Sequence, residues 1–256
     1  MLPYDKLAIA YDRIGMDRFS VRMVDYAVKL LENFRAEPRD GLDLCCGTGT
    51  AIRELSDHGI MMEGLDRSTA MLSVARRKLA GRSVKLHRQN LPRFEIVVKS
   101  GGRKQLRRYD LVTSFFDSLN YQLTERDLKA TFASVYRHLK PGGWFLFDMN
   151  TAHAMRTVFT TRQPEAGVTD KVAWVFRNDA NNDRDQSAFL LTFFVKEGRA
   201  WRRYDETHRE RAYPNTTIAR MLRETGFQVK GMYRCLSFEK PTRSTNRIAV
   251  VARRKP

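Results

Sequence analysis

Cysteine is scarce: among 256 residues only Cys45, Cys46 and Cys235 are present. Three thiols cannot build a disulfide framework, and the adjacent pair is poorly placed for a normal bridge or a four-ligand zinc site. Long apolar runs are missing too; none approaches the roughly 18 residues of a membrane span. The opening Met1-Leu2-Pro3-Tyr4-Asp5-Lys6 lacks the basic-then-apolar order of a secretion signal. Reduced thiols, a cytoplasmic location and no membrane partner are the expectation. There is no internal repeat and no low-complexity tract.

Acidic residues are under-represented. Lys and Arg number 46 against 29 Asp and Glu, a formal net charge of +17. The excess is concentrated in Arg76-Arg77-Lys78, Arg82 to Arg88, Lys99 to Arg108, Arg199 to Arg211 and Arg253-Arg254-Lys255. Such a balance favours anionic partners, nucleic acid included. Yet Lys99 to Arg108 has no Phe, Tyr or Trp on which a base could stack. Solvated surface is therefore preferred, with nucleic acid the less favoured partner.

What is present is a strand that ends in a glycine turn. Leu42-Asp43-Leu44-Cys45-Cys46-Gly47-Thr48-Gly49 supplies apolar alternation and two glycines that let backbone approach a ligand. A helix from Thr50 would point its first amides at that ligand. A dinucleotide fingerprint needs a third glycine at position 52, where Ile52 stands. The nicotinamide reading weakens accordingly.

Alternation of pattern around this motif predicts a doubly wound α/β domain with a parallel sheet. Strands are expected near 41–46, 60–65, 84–88, 110–115 and 143–149, and helices over 17–34, 50–57, 68–80 and 124–139. Glu95 to Leu106 reads as a hairpin turned at Gly101-Gly102. From about 152 the pattern changes to three β-rich runs, 172–176, 187–196 and 201–212, split by Asn178 to Asp183 and by Glu197-Gly198-Arg199. A helix over 216–225, capped by Thr216 or Asn215 and ended by Gly226, precedes two closing strands.

The spacing Asp43, Cys45, Gly47, Gly49 resembles the first motif of the class I (Rossmann-like) S-adenosylmethionine-dependent methyltransferases. The likeness continues in Ile60 to Asp66, a second strand ending in an acid, and in Asp66-x-Ser68-x-x-Met71-Leu72 followed by Ala75. It extends through Arg108 to Ser114 and through Leu139-Lys140-Pro141-Gly142-Gly143 with the strand Trp144 to Asp148. Tyr4-Asp5-x-x-Ala8-x-x-Tyr11-Asp12 resembles a helix lying over bound cofactor in the branch that methylates small molecules. Phe193-Phe194-Val195 and Arg203 to Tyr213 resemble a subgroup with an antiparallel β insertion after the fifth strand.

The resemblance implies a mostly parallel seven-stranded sheet with an inserted small antiparallel β subdomain. Residues 1–151 and 214–256 would form the cofactor domain, and 152–213 the insertion on the acceptor side. S-adenosylmethionine would be held by Tyr11, Asp43, Cys45, Gly47 and Gly49 around the first turn. Asp66, Arg67 and Met71 would follow the second strand, Asn90 and Leu91 the third, and Ser114 and Phe115 the fourth. Asp66 would grip both ribose hydroxyls. Asn90 stands where the family commonly has an aspartate facing adenine; its carbonyl can accept the same bond, neutrally. Tyr11, Asp117 and Asn120 would orient the acceptor or accept its proton.

The implied activity is methyl transfer to nitrogen or oxygen of a small acceptor, with S-adenosyl-L-homocysteine as product. An RNA methyltransferase using the basic surface, or a non-catalytic cofactor-binding module, are the alternatives. Two features compete with functional readings. Tyr4 and Tyr11, seven apart, also suit a core stripe of an amphipathic helix. Glu206, His208 and Glu210 share a strand face by period two and imitate metal ligands, but an outward polar face explains them without a metal. His58, His87, His138 and His153 stand singly.

Overall fold

The computed structural model describes residues 4–159, 164–179 and 185–256. Helix α1 (Arg18–Asn33) leads into strand β1 (Asp40–Leu44), helix α2 (Thr50–Asp57), strand β2 (Met61–Asp66), helix α3 (Thr69–Lys78) and strand β3 (Leu86–Arg88). A hairpin of β4 (Val97–Ser100) and β5 (Arg103–Leu106) follows. The chain returns through β6 (Tyr109–Ser114), a short 3-10 turn at Ser118–Tyr121, helix α4 (Glu125–His138) and strand β7 (Leu139–Asn150). Beyond the second sheet, helix α5 (Asn215–Glu224) and strands β12 (Phe227–Arg234) and β13 (Arg247–Arg254) complete the chain.

The main sheet has seven strands in the order β12-β13-β7-β6-β1-β2-β3, parallel except for β13, which runs antiparallel to both neighbours. Alternation along the strands feeds two cores. Val112, Phe145, Phe147 and Val250 pack under α4 and α5 with Phe132 and Leu222, all at most 1% exposed. Leu111, Leu146 and Val251 point to the opposite face, against Met23, Ile52 and Leu72 of the first three helices. Ile52 replaces the glycine of a dinucleotide fold without pushing α2 off the sheet because β2 carries Gly64. A Cβ on Gly64 would stand 2.4 Å from Ile52 Cδ1.

Between β7 and α5 the chain builds a second, four-stranded antiparallel sheet in the order β11-β10-β9-β8. Its strands are β8 (Glu165–Val168), β9 (Val172–Asp179), β10 (Gln186–Glu197) and β11 (Ala200–Arg211). Sequence reading foresaw three runs here and missed β8, a four-residue edge strand with little apolar signal. The divider at Asn178 to Asp183 falls partly outside the described residues. Val172, Leu191, Phe193 and Val195 form a small core with Leu7 and Ala10 of the N-terminal segment.

Three local expectations need correction. The Tyr4–Asp12 segment is a run of turns with a single 3-10 turn at Leu7–Ile9, not an α-helix. Helix α5 starts after Pro214 with no side-chain cap, so neither Asn215 nor Thr216 caps it. Glu206, His208 and Glu210 face inward, only 6%, 2% and 1% exposed.

The basic hairpin leaves from the amino ends of the strands. Arg107 pairs with Asp40, the first residue of β1, at 3.0 Å, and the Ile96 amide donates to His138 at the end of α4 at 3.0 Å. The glycine turn lies at the other end of β1. The hairpin and that turn are therefore at opposite edges of the sheet.

Candidate active site

The carboxyl ends of β1, β2 and β6 open into one cavity, as the crossover point of such a sheet should. Asp43, the penultimate residue of β1, is 3% exposed and accepts a hydrogen bond from the Thr113 hydroxyl at 2.7 Å. Burial pushes its carboxyl up to about 7, against the pull of Thr113, and Asp66 nearby adds to the rise. Cys45 has φ +55° and Gly47 φ +52°. The left-handed backbone at Cys45 is a conformation that glycine adopts more readily than any other residue. Burial raises the Cys45 thiol far above its ordinary range, which disfavours a thiolate there.

Gly49, at φ +79°, turns the chain into α2 against Ala75 and Leu79 rather than against the cavity. Asp66 ends β2 with one oxygen accepting from the Gly47 amide at 2.9 Å and the other from the Ser68 amide at 2.8 Å. Ser68 caps α3 by accepting from the Met71 amide. Burial raises the Asp66 carboxyl, the two amides opposing it. Arg67, Met71, Asn90, Leu91 and Phe115 join the wall, together with Tyr4, Tyr11 and Tyr121.

Besides Gly49, three candidates stand elsewhere. Ser114 is fully buried behind the wall, its hydroxyl without a partner. Asn120 turns away: its amide donates to the carbonyls of Asn150 and Arg211, and its oxygen accepts from the Asn150 amide at 2.9 Å. That side chain ties the two sheets together. Asp117 lies beside the cavity, its carboxylate held by Asn150 and by Arg247, the latter at 3.3 Å. It is near enough to Tyr11 to raise that hydroxyl, after burial. Phe116 and Asp117 are both left-handed, at φ +59° and +51°, and their amides donate to the buried Asp148, which pairs with Arg247.

The N-terminal segment closes the cavity from above. Asp5 accepts from the Ser68 hydroxyl at 2.8 Å, and Asp12 from Thr48 at 2.7 Å and from Lys78 at 2.8 Å. Glu206 of β11 accepts the backbone amides of Tyr4, Lys6 and Leu7. Sequence reading missed Thr48, Lys78 and Glu206, whose partners across the fold lie 28 to 202 residues away. Among the described residues no group of three His, Cys, Asp or Glu is arranged to hold a metal ion, and no helix is long and apolar enough to cross a membrane.

Comparison with known proteins gives the arrangement a family. A model described as a methyltransferase domain matches residues 42–143. The Bacillus subtilis (strain 168) protein named "Putative methyltransferase YqeM" is 32% identical over 248 residues, covering 96% of this chain and 94% of that one. A crystal structure of an S-adenosylmethionine-dependent methyltransferase from Clostridium acetobutylicum ATCC 824 superposes with TM-score 0.83 at 29% identity, over 99% of both chains. The chain belongs to the class I S-adenosylmethionine-dependent methyltransferases. A dTDP-3-amino-3,4,6-trideoxy-alpha-D-glucopyranose N,N-dimethyltransferase of Streptomyces venezuelae is 33% identical over 125 residues, 46% of this chain and 48% of its own.

The cavity of this methyltransferase fits its cofactor. An ionised carboxylate has about four acceptor positions, and Asp66 gives one per oxygen to its own backbone, leaving the rest for hydroxyl donors. Asp43 offers negative charge for an ammonium group, and Leu65, Met71, Leu91 and Phe115 offer apolar surface for a flat ring. Gly47 faces open space where a Cβ would meet no protein atom within 4 Å, which leaves room for a ligand against the backbone.

Proposed function

We propose that the chain methylates an amine nitrogen of a small acceptor that enters between the strand ends and the antiparallel sheet. We also place it in the branch whose N-terminal Tyr4–Asp12 segment covers the cofactor and whose β insertion, residues 152–213, shapes the acceptor side. S-adenosylmethionine brings its methyl group already activated as a sulfonium. The residues therefore need to align, enclose and deprotonate, and alignment alone supplies a large share of such an acceleration.

In this reading Asp43 meets the cofactor's ammonium, Asp66 its ribose hydroxyls, and Asn90 and Leu91 the adenine edge. Cys45, Gly47, Arg67, Met71 and Phe115 complete the wall. Tyr11 orients the acceptor. Asp117 acts on it through its charge, from its bonds to Asn150 and Arg247. Asn120 and Ser114 support the site from behind, and Gly49 sets the turn.

The observation that carries the preference for an amine is the sign of charge at the cleft. The molecule as a whole is +17, yet the charged residues that line the cleft are Asp17, Asp43 and Asp66 against the one cation Arg67. Such a wall draws in a cation and repels a phosphate chain. The amino-sugar dimethyltransferase similar over part of the chain favours nitrogen over oxygen. The test is incubation with methyl-labelled S-adenosylmethionine and a fractionated small-molecule extract. The expected result is label on an amine; label only on RNA, or on no molecule, rejects the reading.

A further inference from the structure

The inward face of β11 holds a line of polar groups that leads to the cavity. His208 Nδ1 lies 2.8 Å from the Tyr121 hydroxyl, which lies 2.7 Å from the Tyr4 hydroxyl. On its other side His208 Nε2 is 3.2 Å from Glu206 Oε2, off the line of a full hydrogen bond and without a closer partner. Phe189 stacks on the imidazole with 5.2 Å between ring centres, and Tyr4 meets it edge-on at 4.7 Å. Tyr4 and Tyr121 both stand on the cavity wall.

The line has a direction. Glu206 Oε2 accepts the Tyr4 amide at 2.7 Å, and Oε1 accepts those of Lys6 at 2.9 Å and Leu7 at 3.1 Å. Burial opposes ionisation of this carboxyl, but His208 and these amides outweigh it and hold the group below the usual glutamate range. A carboxylate facing Nε2 keeps the neutral ring's proton there and leaves Nδ1 to accept from Tyr121. Tyr121 then accepts from Tyr4, a residue of the cavity wall. Burial, with Asp117 and Glu210 close by, raises both phenols well above their ordinary range, so they pass protons and do not ionise.

We propose that Tyr4, Tyr121, His208 and Glu206 form a proton relay that removes the proton the acceptor must lose, with the Tyr4 hydroxyl meeting the acceptor. The inference rests on the methyl-transfer reading above. The acceptor's N–H proton passes to the Tyr4 oxygen as the Tyr4 proton passes to Tyr121 and that of Tyr121 to His208 Nδ1. The N–H electron pair stays on nitrogen and forms the new N–CH3 bond, while the S–CH3 pair leaves with sulfur. His208 becomes an imidazolium against Glu206 and gives its proton to solvent when products depart. The titratable groups around His208 are Glu206 and Glu210 on its own strand, Tyr4 from the N-terminal segment and Tyr121 from the turn before α4. Only the Tyr4 hydroxyl meets the acceptor; Tyr121, His208 and Glu206 act through it.

Nitrogen-15 NMR of the full chain labelled at histidine, with S-adenosylhomocysteine added, tests the relay without an acceptor. In its neutral form His208 is expected to show an unprotonated, hydrogen-bonded Nδ1 and a protonated Nε2, with the Nδ1 signal moving in Tyr121→Phe. A proton on Nδ1, or an unmoved signal, overturns the proposal. With the acceptor from the labelling experiment, Tyr4→Phe and Tyr121→Phe should each lower kcat about 100-fold or more at neutral pH, the range of general acid–base catalysis. The lost rate should return about tenfold per pH unit as the acceptor loses its own proton. A loss equal at every pH would make the line a structural clamp and overturn the relay. Should no acceptor take label, the function reading fails and the NMR result alone decides the relay.

Discussion

Asp66 is shared between its own backbone and the ligand, and that division sets the size of its expected effect. Gly47 and Ser68 amides hold the two oxygens in place, so the carboxylate is oriented before any ribose arrives. Asp66→Ala should weaken S-adenosylmethionine binding by about 1.5–3 kcal/mol, roughly 10- to 150-fold, the range for hydrogen bonds to a charged group. Calorimetry reads it, and unchanged affinity would remove Asp66 from the ribose. Asp43 predicts a pH dependence. Its carboxyl, raised by burial to about 7, binds a proton in the folded chain that the unfolded chain releases near the ordinary aspartate range. Its contribution to stability is therefore present at low pH and lost as pH climbs from about 4 through about 7. An ammonium beside it reverses the bias and expels the proton. S-adenosylmethionine affinity should thus climb from about pH 5 to about pH 7 with net proton release, seen as buffer-dependent binding heat, and Asp43→Asn should flatten the curve. A flat wild-type curve would place the ammonium elsewhere.

The N-terminal segment is an element with almost no regular structure, held by charge. Lys78, at the end of α3, reaches Asp12, Thr48 and Thr50, and its side chain is only 12% exposed. Lys78→Met should loosen the segment by about 1.5–3 kcal/mol, so that amides of residues 4–16 exchange roughly 10- to 150-fold faster while those of the sheet do not change. Equal protection in both proteins would show that the cluster does not hold the segment. Such an element is hard to read in a sequence, because the seven-residue spacing of Tyr4 and Tyr11 also fits a helix. What decides between them is Glu206, about two hundred residues away. The same distance hid the face of β11. Period two says that Glu206, His208 and Glu210 share a side, but only pairing with the N-terminal segment and Asn150 says which side is buried. By contrast β1, its glycine turn and Asp66 were legible, since strand alternation, left-handed glycines and an acid at a strand end are local chemistry. That the sheet is mostly parallel followed from the alternation of strands and helices. Asn120 was misread because its position after the fourth strand suits a ligand contact, whereas its bonds to β7 and β11 depend on where those strands cross.

At the scale of the whole molecule the charge is divided by place. The surface carries the excess that makes +17, while the cleft under the N-terminal segment is lined by Asp17, Asp43 and Asp66 against Arg67. The hairpin of β4 and β5 presents exposed Arg103, Lys104 and Arg108 at the amino edge of the sheet. Arg107 belongs to the fold instead, bound to Asp40 and lying 4.9 Å over the Tyr109 ring. A nucleic acid held on this hairpin would sit at the edge of the sheet opposite to the glycine turn. Changing Arg103, Lys104 and Arg108 together to Gln should therefore leave methyl transfer to the small acceptor within about twofold. It should flatten the salt dependence of non-specific RNA binding, each lost phosphate contact removing about 0.7–0.9 from the slope of log affinity against log salt. Transfer assays and binding titrations between low and physiological salt measure the two effects separately. If the triple variant instead lost methylation of a particular RNA, and that methylation fell steeply with salt in the wild type, the acceptor would be the nucleic acid, and the acidic cleft would be receiving a single base from a chain anchored at a distance.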